Sequence, residues 1–146
     1  MPTQLELDNQ LCFALYSASR AMTAAYAPLL DALGLTYPQY LVMLVLWERD
    51  GERVSQIGKR LHLDSATLTP LLKRLETRGV ITRRRSTEDE RVVEVFLTAA
   101  GKKLEKRAAD VPACIFERSG LTVAELTRLR TQITTLTARL RGPTDS

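Results

Sequence analysis

Two sets of side chains in this 146-residue sequence could do chemistry: a pair of thiols and a dense group of cations. The thiols are Cys12 and Cys114, far apart in the chain. A thiolate is the nucleophilic form of cysteine, so a reactive site must favour the anion. Tyr16 lies four residues after Cys12 and shares its face of a helix, within reach as a phenol donor. The plain alternative is that a cysteine on an apolar helix is inert filler. His62 is the single histidine, and one histidine with two distant cysteines cannot build a zinc site. No G-x-S-x-G, P-loop or G-x-G-x-x-G occurs. The expectation is a protein without metal or cofactor, and not an enzyme.

The cations are concentrated in residues 53–91, which hold ten Lys and Arg against five Asp and Glu. That stretch is therefore +5, and with the whole chain at +4 the rest is −1. Such a local field suits a polyanion. Arg83, Arg84 and Arg85 could be a solvated charge run, but their setting argues for nucleic acid.

That setting is a helix, a tight turn, a second helix and a hairpin. Ile57 and Leu61 sit one turn apart on a short helix, and His62-Leu63-Asp64 breaks it. Asp64 or Ser65 can cap the next helix, whose buried stripe is Leu68, Leu71, Leu72 and Leu75. Pro70 falls early in that helix and is expected to bend it. Gly79 suits the position just past its end. Two β-branched runs then flank residues 86–90, as in a hairpin. A helix-turn-helix followed by a basic hairpin is a winged helix. Ser65, Thr67 and Thr69 near the start of the second helix are expected near base edges and phosphates in the major groove, with Lys73 and Arg74 further along. The wing arginines add affinity, and Asp89 and Arg91 flank the turn with opposite charge.

The terminal stretches have a different pattern. Leu7, Leu11, Leu15, Ala18, Met22 and Ala25 recur at helical spacing within a helix expected over residues 5–33, bent or interrupted at Pro28. Thr36, Tyr37 and Pro38 open an apolar central helix. Thr98 can cap a helix over residues 99–117, kinked at Pro112. Thr122 and Glu125 form a capping box for a last helix to residue 141. So much apolar helix exceeds what one small domain needs, and implies a homodimer. The expectation is a single domain over residues 1–146, mainly α with a small β wing. Residues 35–97 form the winged helix-turn-helix, and residues 5–34 and 99–141 form the dimerisation helices. A dimer presents two recognition helices to two half-sites, hence a pseudo-palindromic double-stranded DNA operator. With no leader pattern and no apolar run long enough for a membrane span, the protein is expected to be soluble and cytoplasmic, without membrane contact.

The block Leu63-Asp64-Ser65-Ala66-Thr67-Leu68-Thr69-Pro70-Leu71-Leu72-Lys73-Arg74-Leu75-Glu76 and the Asp89-Glu90-Arg91 element resemble the recognition helix and wing of the MarR family. Asn9-Gln10-Leu11-Cys12-Phe13-Ala14-Leu15-Tyr16 and Leu35-Thr36-Tyr37-Pro38-Gln39-Tyr40 resemble its organic hydroperoxide sensors of the OhrR type. The resemblance implies a repressor whose Cys12 is oxidised by an organic hydroperoxide inducer, releasing the operator. It implies that Tyr26 and Tyr37 hydrogen-bond the reactive thiol and that Asp89 and Arg91 pair to hold the wing. It also implies a resolving thiol in a later helix, about one turn beyond Cys114, so Cys114 is either that thiol or a bystander. Tyr26 is fourteen residues from Cys12, about 21 Å along a straight helix, so it would reach Cys12 only across an antiparallel dimer. Two other functions stay open. A repressor of the same fold could be released by a small aromatic or apolar anion, and a thiol peroxidase could use Cys12.

Overall fold

The computed structural model describes residues 3–143. The chain forms two compact units that divide between Val111 and Pro112. The first contains α1 (Leu11–Asp31), α2 (Tyr37–Glu48), β1 (Glu52–Arg53), α3 (Val54–Leu61), α4 (Ser65–Thr77), β2 (Ile81–Arg85), β3 (Val93–Leu97) and α5 (Ala99–Ala108). Helix α6 (Val111–Ser119) starts at the division, and the second unit continues with α7 (Val123–Arg141). The fold is mainly helical with a small antiparallel sheet, as the sequence implies.

Helix α2 is the centre of the first unit. Thr36 Oγ1 accepts from Gln39 N–H, and the Gln39 side chain accepts from Thr36 N–H, which fixes the helix start. Tyr40, Val42, Met43, Val45 and Leu46 are buried, which explains the apolar run through this helix. Full burial of each such side chain stabilises by about 1.5–3 kcal/mol. Leu68, Leu72 and Leu75 of α4, Ile57 of α3, and Ile81 and Val95 of the sheet fill the same core. The strand order is β1-β3-β2, with β2 and β3 paired from Ile81–Leu97 to Arg85–Val93.

Three expectations need correction, and at Pro28 one of two alternatives falls away. The first helix starts at Leu11, not residue 5, and residues 3–9 form two 3₁₀ turns instead. There Asn9 Nδ2 donates to Thr3 O, and Gln10 Nε2 donates to Gln4 O and Glu6 O. Those side-chain bonds compete with helix formation. Pro28 does not interrupt α1, which continues to Asp31. The wing has a third strand, β1, whose two residues pair with Val95 and Glu94 and are too short to show periodicity. The helix over residues 99–117 is two helices, broken at Ala109 and Asp110. Pro112 lacks an N–H and its ring would clash with the Ala108 carbonyl, so the break precedes it. Pro70, by contrast, lies inside an unbroken α4, and Gly79 ends that helix region with φ +85°.

Candidate DNA interface and thiol site

Helix α4 faces two ways. Its leucine stripe is buried, while Ser65, Thr67, Thr69, Lys73 and Arg74 are exposed on the rest of the surface. Asp64 Oδ1 accepts from Thr67 N–H at 2.8 Å and so sets the first turn. That backbone hydrogen bond, with a further one from the Thr67 side chain, holds the Asp64 carboxyl below its ordinary range. The sharp turn before it depends on His62, which takes left-handed backbone at φ 56°. Gly58 completes the turn: a Cβ there would stand 2.8 Å from the Leu63 carbonyl oxygen. The hydroxyl residues therefore lie on the first two turns of an exposed helix face, the geometry a major-groove reader needs.

The three wing arginines occupy different surroundings. Arg83 is half-buried and paired with Glu76 of α4 at 3.0 Å. Arg84 is exposed, with its guanidinium carbon 4.0 Å from the centre of the Phe96 ring. Stacking of that kind leaves the in-plane N–H groups free to donate. Arg85 is exposed and donates from Nη1 to Glu90 O at 2.8 Å. At the wing tip, Asp89 Oδ1 accepts from Arg91 N–H at 3.1 Å and from Nε at 3.2 Å, and Oδ2 accepts from Nη2 at 3.3 Å. Those bonds keep the Asp89 carboxyl below its ordinary range.

Cys12 is exposed and is the second residue of α1. The N-cap residue Gln10 offers no side-chain acceptor, so the first-turn N–H groups lack a capping partner from it. That end of a helix dipole is positive and stabilises an anion. Tyr16 is exposed one turn on, with the Arg20 guanidinium 5.5 Å from its ring centre. Near the other end of α1, Tyr26 meets Tyr37 with ring centres 5.1 Å apart. Tyr40 was missed by sequence reasoning as a site residue, yet it completes this cluster at 5.7 Å from Tyr26 and 6.3 Å from Tyr37. Its three-residue spacing from Tyr37 was the available signal. Burial raises all three phenols, and Tyr40 is pushed up to about 12, with the neighbouring Tyr26 and Tyr37 adding to the effect. All three keep their protons at neutral pH and can act as donors. Cys114 is exposed on α6.

Two further arginines were also missed. The Arg78 guanidinium donates to the carbonyls of Leu33 and Gly34, and Arg107 Nη2 donates to Ala32 O at 2.6 Å. They hold the turn that joins the two tyrosine-bearing helices. Among the described residues no group of His, Cys, Asp and Glu could hold a metal ion, and no helix is long and apolar enough to cross a membrane.

A family model described as "Transcriptional regulator SarA/Rot" matches residues 24–107. The chain is 50% identical over 132 residues to the organic hydroperoxide resistance transcriptional regulator of Bacillus subtilis (strain 168), covering 90% of each. Among solved structures it is similar to reduced AbfR bound to DNA, with TM-score 0.80 and 36% identity over 94% of both chains. Overoxidised AbfR bound to DNA matches with TM-score 0.75 and 38% identity over 92% of this chain and 94% of that one. AbfR is from Staphylococcus epidermidis.

Proposed function

Because the chain belongs to the MarR family of winged-helix transcriptional regulators, we propose that it is a dimeric, redox-responsive repressor. The reduced dimer binds a pseudo-palindromic DNA operator, and oxidation of Cys12 by an organic hydroperoxide releases it. It acts on DNA in the cytoplasm and consumes peroxide only stoichiometrically, not as an enzyme. The whole of residues 1–146 works as one module, with residues 35–97 reading DNA and residues 5–34 and 99–141 joining the protomers.

The observation that carries this reading is the layout of α1. Its exposed thiol sits in the first turn, and a cluster of neutral phenols lies near the opposite end. Antiparallel packing of two such helices brings Cys12 of one protomer to Tyr26 and Tyr37 of the other. The phenol O–H groups of the partner would then donate to the Cys12 sulfur, the contact a nucleophilic thiol needs. The thiolate attacks the terminal peroxide oxygen, the O–O bond breaks, Cys12 becomes a sulfenic acid, and the departing alkoxide takes a proton from solvent and leaves as the alcohol. Leu11, Phe13, Leu15 and Met22 surround the thiol's helix with apolar surface, which suits an organic peroxide over hydrogen peroxide. In AbfR the overoxidised form is bound to DNA. By analogy, release here needs the sulfenic acid to condense with a second thiol, for which Cys114 is the candidate within the chain.

On the DNA side, Ser65, Thr67 and Thr69 approach base edges and phosphates, Lys73 and Arg74 reach the backbone, and Arg84 and Arg85 extend the contact from the wing. The test is binding to a duplex selected by the reduced protein, with and without one equivalent of cumene hydroperoxide. Wild-type protein should release the duplex, and Cys12→Ser should hold it. Release by Cys12→Ser under oxidant removes the redox reading and leaves a ligand-displaced repressor in its place.

A further inference from the structure

The pairing of Glu76 with Arg83 has a geometry that a solvated charge run lacks. One carboxylate takes three N–H groups from a single residue. Glu76 Oε2 accepts from Arg83 backbone N–H at 3.1 Å, and Oε1 accepts from Nε at 3.3 Å and Nη2 at 3.0 Å. Both side chains are shielded, with 28% of Arg83 and 37% of Glu76 exposed. Strand β2 is an edge of the sheet, since the order is β1-β3-β2. The Arg83 backbone N–H that Glu76 takes is a group such an edge would otherwise leave open. Glu76 lies near the end of α4 and Arg83 in the middle of β2, seven residues on, across the turn at Gly79. The clasp therefore joins the helix that reads bases to the strand that begins the wing.

We propose that Glu76 is a positioning residue for DNA recognition: by holding Arg83 it sets the angle between the recognition helix and the wing, so that Arg84 and Arg85, not Arg83, meet phosphates. The inference rests on the DNA-binding reading above. Three adjacent arginines thus divide into one anchor and two contacts. The alternation of the strand separates Arg84 from Arg83, on the opposite face, where it stacks on Phe96; Arg85 shares the face of Arg83 but donates to Glu90 O rather than to a carboxylate. A guanidinium whose Nε and Nη2 are committed to a carboxylate has its charge largely neutralised and only its Nη1 side left open, so it draws a phosphate more weakly than a guanidinium without a carboxylate partner. The Glu76 carboxyl is held below its ordinary range, first by the Arg83 side chain and then by its backbone N–H, so the clasp stays ionised at neutral pH.

The experiment measures the salt dependence of binding to a fluorescent duplex that wild-type protein has selected from a random-sequence library. Arg84→Ala and Arg85→Ala should each flatten the slope of log K against log salt by about one contact. Arg83→Ala should leave the slope unchanged and lower affinity about fivefold, as should Glu76→Gln, since a shielded pair of this kind is modest in energy. The two changes combined should be no worse than either alone. The exchange Glu76→Arg with Arg83→Glu should recover only part of the affinity, because it restores the ion pair but leaves the backbone N–H of residue 83 without its acceptor. Circular dichroism melting checks each variant, and Glu76→Gln keeps the side-chain shape should the exchange fail to fold. A slope that falls by one for Arg83→Ala, or additive losses in the double variant, overturns the proposal while leaving DNA binding intact. If the wild type enriches no duplex at all, the DNA-binding reading falls and this proposal with it.

Discussion

Helices α4 and α7 use their apolar residues in opposite ways. The 13-residue α4 buries Leu68, Leu71, Leu72 and Leu75 within its own chain. The 19-residue α7 buries none of its residues, and Leu129, Ile133 and Leu140 are exposed. Helix α1 resembles α7: of its 21 residues only Leu30 is buried, while Leu11, Phe13, Tyr16 and Met22 are exposed. Both kinds of helix have the same apolar spacing in sequence. The difference is where the partner surface lies. The reading helix finds its partners inside one chain, and the terminal helices each leave several large apolar side chains exposed, as a helix that meets a partner surface does.

The sharpest way to break that comparison is to damage the filled helix. Leu72→Ala should destabilise the winged helix by about 2–5 kcal/mol, because it empties a fully buried site. Equilibrium urea unfolding measures this. Next comes the open helix. Leu129→Glu combined with Ile133→Glu should convert the dimer to a monomer, and lower the unfolding midpoint only by the contribution of association, because neither side chain is buried within its own chain. Loss of the second half-site should lower operator affinity about 100-fold. Sedimentation and DNA titration on the same sample would show it, and a variant that stays dimeric removes α7 from the interface. The tyrosine cluster stands between the two extremes: Tyr40 is buried, and Tyr26 and Tyr37 are half-buried. Tyr26→Phe and Tyr37→Phe should each slow Cys12 oxidation about tenfold, the worth of one hydrogen bond to a charged group. Reduced DNA binding should be unaffected. Stopped-flow oxidation by cumene hydroperoxide decides the matter, and equal rates would leave the phenols as packing residues.

The sequence makes the first kind of helix legible and the second only half so. Leu68, Leu71, Leu72 and Leu75 announce a stripe, Asp64 a cap and Gly79 a stop, and all three features are found. Local chemistry dictates each of them. The capping box at Thr122 is read correctly for the same reason, and at Thr36 the helix start is read but not the box that Gln39 completes. What fails is whatever depends on competition. The early start expected for α1 follows the Leu7–Leu11 spacing, but side-chain bonds from Asn9 and Gln10 favour 3₁₀ turns. Two residues of β1 exist only because β3 offers them an edge. Of the candidate site, the basic run is plain in the sequence, yet its division into an anchored Arg83 and exposed Arg84 and Arg85 needs the fold. Glu76 is seven residues from Arg83, a spacing that predicts nothing until the turn at Gly79 folds the strand back. Tyr40 hides within an apolar run and joins its cluster only when α1 packs on α2.

The smallest effect belongs to the wing tip, the most exposed part of the reading unit and so the best test of whether that unit is self-sufficient to its edge. Asp89 accepts three hydrogen bonds from Arg91 in a turn with little burial. A pair this open adds little to stability, so on the proposed reading its worth is geometric: it would set the curvature of the turn from which Arg84 and Arg85 approach DNA. Asp89→Ala should leave the melting temperature nearly unchanged and lower operator affinity about threefold, the range of an exposed ion pair. The pH dependence follows from the direction of the carboxyl shift. The Arg91 side chain, then its backbone N–H, hold Asp89 below its ordinary 3.8. A carboxyl depressed in the folded state gives its full contribution above 3.8 and loses it only as pH falls through the lower folded value. The affinity ratio of wild type to Asp89→Ala should therefore be constant from pH 8 to about pH 5. Fluorescence anisotropy across that range provides the measurement. A ratio that shrinks towards pH 5 would mean that another titrating group, not Asp89, orders the wing, and the reading unit would then depend on contacts beyond its own turn.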